Sequence, residues 1–145
     1  MTEFSHQPLF ELPHDRTTPW RKLSGDFVGS ARFDGHALLT VAPEGLTLLA
    51  AQAIRDVSHL FRPGHLEQVR AILDDPEASG NDRFVALQML KNANVAAGMV
   101  LPSCQDTGTA IVMGKKGQRV WTAGDDEAAL ARGIHDTYTT TSLRY

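Results

Sequence analysis

The sequence predicts an α+β fold, and three observations carry that expectation. Two strand-like runs in residues 27–41 are joined by Asp34-Gly35, a helix-rich middle follows, and short strand-like runs flank a loop of small and polar residues near Cys104. Asp-Gly between two apolar runs favours a tight hairpin, because its central residues need positive φ. Strands at both ends with helices between and after them give a mixed layer arrangement.

Taken in chain order, residues 1–19 hold Pro8, Pro13 and Pro19 and show no clear period, which predicts an irregular arm. The hairpin comes next. Pro43 suits a first helical turn, and Leu46, Leu49, Ala50, Ala53, Ile54, Val57 and Leu60 follow at helical spacing. Pro63 marks a break. Leu66, Val69, Ile72 and Leu73 predict a shorter second helix. Asp74-Asp75-Pro76 turns the chain, and Asn81 is a candidate cap for a third helix with Phe84, Leu87, Leu90, Val95 and Ala96 on its apolar side. Gly98 suits its end. Ala110-Ile111-Val112-Met113 predicts a buried strand, Gly114-Lys115-Lys116-Gly117 a turn, and Arg119-Val120-Trp121-Thr122 a returning strand. Asp125 suits the cap of a last helix through Ala128, Leu130, Ile134 and Tyr138. Trp20 and Trp121 are expected to pack.

Composition narrows the function classes. The chain has 145 residues, 42% of them hydrophobic, with a formal net charge of -3 and a pI near 6.0. Lys115-Lys116 is a pair and not a patch, so nucleic acid is not an expected partner. A single cysteine cannot close an internal disulfide, and the first residues lack the basic-then-apolar plan of a signal peptide. No apolar run is long enough to span a bilayer. The expectation is a cytoplasmic protein without a membrane partner.

Cys104 is the residue with the most chemical potential. It stands in a loop before an apolar run, where a thiolate can be a nucleophile or a soft metal ligand. No Lys or Arg lies beside it to depress its pKa, and Asp106 would raise it, which argues against a nucleophile. A metal reverses that argument by holding the thiolate ionised. From periodicity and composition alone, a lone cysteine reads as a small buried apolar residue. Asp106 reads equally as a turn residue, and Arg144 as a basic residue favoured near a helix end. The six histidines, His59 and His65 included, match no common metal spacing and read as surface or capping residues.

The run Leu-Pro-Ser-Cys-Gln-Asp-Thr-Gly-Thr-Ala at 101–110 resembles the cluster-binding segment of class I (iron–sulfur) fumarate hydratases. Asp-Pro-Glu-Ala-Ser at 75–79, Gly-Lys-Lys-Gly-Gln-Arg-Val-Trp-Thr at 114–122, Asp-Glu-Ala-Ala-Leu at 126–130 and Leu-Arg-Tyr at 143–145 extend the resemblance in the family's order. The resemblance implies that residues 1–145 form the N-terminal region of such an enzyme, incomplete as a catalyst. It implies a [4Fe–4S] cluster held by three cysteines, of which Cys104 is the first. It implies that Gln105, Asp106 and Arg144 contact a small dicarboxylate substrate, with Asp106 carrying a catalytic proton. The other two cysteines, further arginines, a lysine and a catalytic threonine are implied to lie beyond residue 145.

The implied partners are the remainder of a full-length chain and, when complete, a second copy in a homodimer. The implied activity is reversible hydration of fumarate to (S)-malate in the citric acid cycle. The fragment alone is expected to be inactive. Two alternatives stand beside it: a related iron–sulfur dehydratase of the tartrate or methylfumarate type, and a non-catalytic truncated interaction module. The hairpin at 27–41 favours the single-chain fumarase form over two-subunit relatives.

Overall fold

A computed structural model of the chain describes residues 5, 20–104, 109–141 and 143. The order of elements is β1 (Val28–Phe33), β2 (His36–Val41), α1 (Pro43–His59), α2 (Pro63–Ala71), α3 (Gly80–Ala96), β3 (Val120–Thr122) and α4 (Asp126–Thr141). The fold is α+β. The irregular arm expected at 1–19 lies outside the described residues, Ser5 apart.

β1 and β2 form an antiparallel hairpin in which Phe33 faces His36. Asp34 and Gly35 both take positive φ, 47° and 74°, as a two-residue turn of the right twist demands. β2 is the central strand. On its other side β3 runs parallel to it, pairing Leu39 with Val120 and Val41 with Thr122. Two parallel strands therefore each lead into a helix, β2 into α1 and β3 into α4.

The two helices inherit that direction. Thr47 Oγ1 donates to the Ala129 carbonyl at 2.9 Å, near the start of both helices. Further along, Thr137 Oγ1 lies 2.9 Å from Gly133 O and 3.2 Å from Ala51 O, and its single proton serves one of them at a time. The contacts advance in the same sense along both chains, so α1 and α4 run parallel. Their seam is made of small residues: Ala50, Ala129, Gly133 and Thr137 are all buried. A Cβ on Gly133 would meet the Thr47 carbonyl oxygen and would come within 2.8 Å of Ala50 Cβ and 2.9 Å of Ala51 N. Two of these neighbours are backbone atoms of α1, which cannot swing aside.

The helix ends follow local chemistry. Pro43 opens α1 and Pro63 opens α2, where a missing N–H costs nothing. Asp125 caps α4 by accepting from Ala128 N at 3.1 Å, as expected. α3 begins elsewhere than Asn81. Its cap is Ser79, which accepts from Asp82 N while Asp82 accepts from Ser79 N, a reciprocal box that satisfies two end donors. Ser79 lies one residue before the helix, where a hydroxyl can reach the third helical N–H; Asn81 already lies inside. The Ser79 hydroxyl, then the Ser79 backbone N–H, hold the Asp82 carboxyl below its ordinary 3.8. At the other end, Met99 and not Gly98 takes the left-handed conformation, with φ 62°.

Several packing expectations are corrected. The buried stripe of α3 is Ala86, Ala93 and Ala96, while Phe84 is 60% exposed and Leu87 and Val95 are exposed as well. The buried apolar set is mainly alanine, with Leu38 and Val69, so close helix approach and not large side chains builds the core. Trp20 is fully exposed; Trp121 is half exposed and lies 5.9 Å from the Phe33 ring. Residues 110–113 form no strand: Ile111 is 79% and Met113 74% exposed. The turn comes later than expected, at Gln118-Arg119, and β3 finds its partner in β2. No helix among the described residues is long and apolar enough to cross a membrane.

Two outcomes follow from these ends and seams. Gly133→Ala gains about 1 kcal/mol of helix propensity but forces α1 and α4 apart, a repacking cost of about 1–3 kcal/mol. A lowered urea midpoint is expected, and a raised one would contradict the tight seam. Asp82 has a depressed folded pKa, so its cap contribution is full well above 3.8 and fades as pH falls through the folded value. An NMR carboxyl titration should place its midpoint below 3.8 and Ser79→Ala should move it upward; a midpoint unmoved by that change would refute the box.

Candidate functional site

The loop carrying Cys104 is built on two helix ends. α3 closes with Ala97 N donating to Ala93 O, then Gly98 N to Val95 O and Met99 N to Ala96 O at 2.9 Å. The left-handed turn at Met99 reverses the chain. Cys104 N then reaches back to α3 and donates to Asn92 Oδ1 at 2.9 Å.

The residue before it is fixed more firmly. Ser103 is only 4% exposed, and it donates to the Ser58 carbonyl both from its N, at 2.8 Å, and from its Oγ, at 3.1 Å. Ser58 lies in the last turn of α1, where carbonyls have no partner within the helix. The loop thus supplies the missing donors. Beside it, His59 is 3% exposed, and its Nδ1 sits 2.8 Å from Arg55 O, which makes Nδ1 the protonated nitrogen. Of the surface or capping roles expected for His59, the surface one is corrected: it is a buried histidine, bonded within the last turn of α1, that closes the helix end. His65 stacks on Phe61 at 5.5 Å.

Cys104 itself is exposed, with its thiol free. The buried apolar reading of a lone cysteine does not hold, because the anchored Ser103 takes the interior position and leaves the next residue outside. Among the described residues no group of three or more His, Cys, Asp or Glu converges as a metal site. Gln105, Asp106 and Arg144, the other expected site residues, lie outside the described residues. The structure therefore places one of the four.

Sequence reasoning passed over Asn92, Ser58 and Ser103. Asn92 gave no signal of its own, because its partner, the Cys104 N–H, lies twelve residues further on in a loop. The serines carried none, because their pairing spans 45 residues. On the opposite part of the chain, Lys116 Nζ pairs with Asp126 Oδ2 at 2.6 Å and reaches Thr122 Oγ1 at 3.1 Å. Hydrogen bonding to Asp126 itself, from Lys116 first and then from Thr122, holds its carboxyl below its ordinary value. Two open grooves of about 410 Å³ and 610 Å³ lie at the hairpin mouth and between the α2–α3 connection and α3, and neither includes Cys104.

The family described as Fumarate hydratase (Fumerase) matches residues 47–145, more than half of the chain. The chain belongs to the fumarate hydratase family. It is 56% identical over 142 residues to the aerobic class I fumarate hydratase of Escherichia coli K12, covering 98% of this chain and 26% of that protein. The anaerobic class I enzyme of the same organism is 55% identical over 142 residues, with the same coverage. Fumarate hydratase 2 of Leishmania major is 52% identical over 147 residues, covering 99% of this chain and 26% of that protein. The chain thus spans about a quarter of the length of the relatives it matches.

An exposed, untethered thiol should react fully in the native chain. One thiol per chain is expected to titrate with a disulfide reagent without denaturant, and a need for denaturant would show Cys104 to be covered.

Proposed function

We propose that this chain is the N-terminal region of a class I fumarate hydratase, a hydro-lyase that reversibly converts fumarate and water to (S)-malate in the citric acid cycle. The observation that carries the reading is identity of 56% spread over 98% of the chain, including the segment that presents Cys104. The proposed complete enzyme is a cytoplasmic homodimer. The single cysteine, which cannot close an internal disulfide, supports a reducing compartment.

Cys104 is proposed as one of three cysteine ligands to a [4Fe–4S] cluster. The donor chemistry fits: a thiolate is the ligand such clusters use, and this thiol is exposed on a backbone tied to two helices. One thiolate is a single ligand position, and no group of three or more acidic, histidine or cysteine residues completes a site among the described residues. The remaining ligands belong, on this reading, to the rest of a longer chain. Exposed Phe84, Val85 and Met89 on α3 support the same reading, since they offer apolar surface for that remainder to cover. The chain alone is proposed to be inactive.

When bound, the cluster supplies a Lewis-acidic iron for a substrate oxygen. The chain's own residues bind and move protons. The planar guanidinium of Arg144 suits a carboxylate through two parallel charge-assisted hydrogen bonds. Gln105 can donate its amide N–H to a carboxylate or hydroxyl. Asp106 can pass a proton to or from the hydroxyl that leaves or adds.

Kinetics of the complete enzyme test these roles separately. Arg144→Ala should lower kcat/KM by the loss of a charge-assisted hydrogen bond, about 1.5–3 kcal/mol. Asp106→Asn should lower kcat by roughly 10²–10⁴-fold. Unchanged kinetics in either variant would return that residue to a structural role.

A further inference from the structure

Asn92 holds an unusual position for a helical amide. It lies half-buried on α3 beside buried Ala93, and its Oδ1 accepts the backbone N–H of Cys104 at 2.9 Å across twelve residues of sequence. The preceding N–H, that of Ser103, is held by the Ser58 carbonyl on α1 at 2.8 Å. Two successive peptide planes are therefore tied to two different helices. Fixing both planes fixes φ and ψ of Ser103, and with them the position from which the Cys104 side chain departs. Residues 97–104 hold no helix or strand of their own to do this.

We infer that Asn92 is a positioning residue that sets the place from which Cys104 offers its thiolate to an iron–sulfur cluster. The inference rests on the proposed role of Cys104 as a ligand. A ligand must be held within about 0.5 Å of its productive place by a supporting shell. The Ser58–Ser103 pair fixes one side of the loop. Asn92 fixes the other, and it acts on the backbone so that the sulfur stays free to bind.

The test uses the complete enzyme, handled without oxygen, in four variants: Asn92→Ala, Asn92→Ser, Asn92→Asp and Cys104→Ser. Asn92→Ser keeps a polar side chain too short to reach, and it decides the matter if the alanine variant does not fold. Asn92→Asp keeps an oxygen acceptor in place. Two readouts besides activity are taken. One is hydrogen exchange of the peptide spanning 100–104 in the cluster-free protein. The other is the rate at which bathophenanthroline disulfonate removes iron from the loaded protein. Loss of one hydrogen bond should speed exchange roughly two- to tenfold in the alanine and serine variants. Iron should leave faster in both, while Asn92→Asp restores both rates toward those of the unaltered protein. Exchange and iron loss unchanged by Asn92→Ser, with Cys104→Ser unable to retain iron, would overturn the role of Asn92 and leave the ligand reading standing. Iron retained in full by Cys104→Ser would overturn the ligand reading and this inference with it.

Discussion

The close approach of α1 and α4 is the constraint on which the rest of the described structure depends. Parallel strands β2 and β3 send these helices off side by side, and small residues let them meet. Gly133 stands where any side chain would strike the backbone of α1 near Thr47 and Ala51. The Thr47 and Thr137 hydroxyls bridge the same seam. At such a short separation, dispersion between backbones replaces the large interlocking side chains of an ordinary core. That is why Ala50 and Ala129 are enough to fill the seam.

The same geometry leads to the site. Once α1 is fixed against α4, its final turn has a fixed place, and the Ser58 carbonyl there needs a donor. Ser103 supplies two, and Cys104 follows immediately. α3 contributes Asn92 from the other side. A loop that would otherwise be free to wander becomes an extension of two helix ends. An exposed thiol on such a frame is well placed for a partner that arrives from outside the described residues, which is what a ligand shared with distant parts of a longer chain requires.

Local signals in the sequence carried much of the fold. Asp34-Gly35 fixed the hairpin through its demand for positive φ, Pro43 and Pro63 marked two helix starts, and Asp125 capped α4. What failed was long-range. The run at 110–113 is apolar enough for a strand, yet it gains no strand partner among the described residues, because β3 pairs in parallel with a strand about eighty residues earlier. Hydropathy pointed to Phe84 and Leu87 as the inner face of α3, whereas close packing chose the alanines. Of the site, Cys104 could be singled out by its chemistry. The roles of Gln105, Asp106 and Arg144 came only from resemblance, and nothing local in Ser58, Asn92 or Ser103 announces a shared anchor.

Cys104 is proposed to belong to an iron–sulfur centre completed by a longer chain. The most direct measurement is iron and acid-labile sulfide, assayed together in the complete protein purified without oxygen. Equal amounts of both, in the ratio of a [4Fe–4S] cluster to each chain, are the predicted result. A protein that hydrates fumarate at full rate while holding neither iron nor sulfide would contradict it.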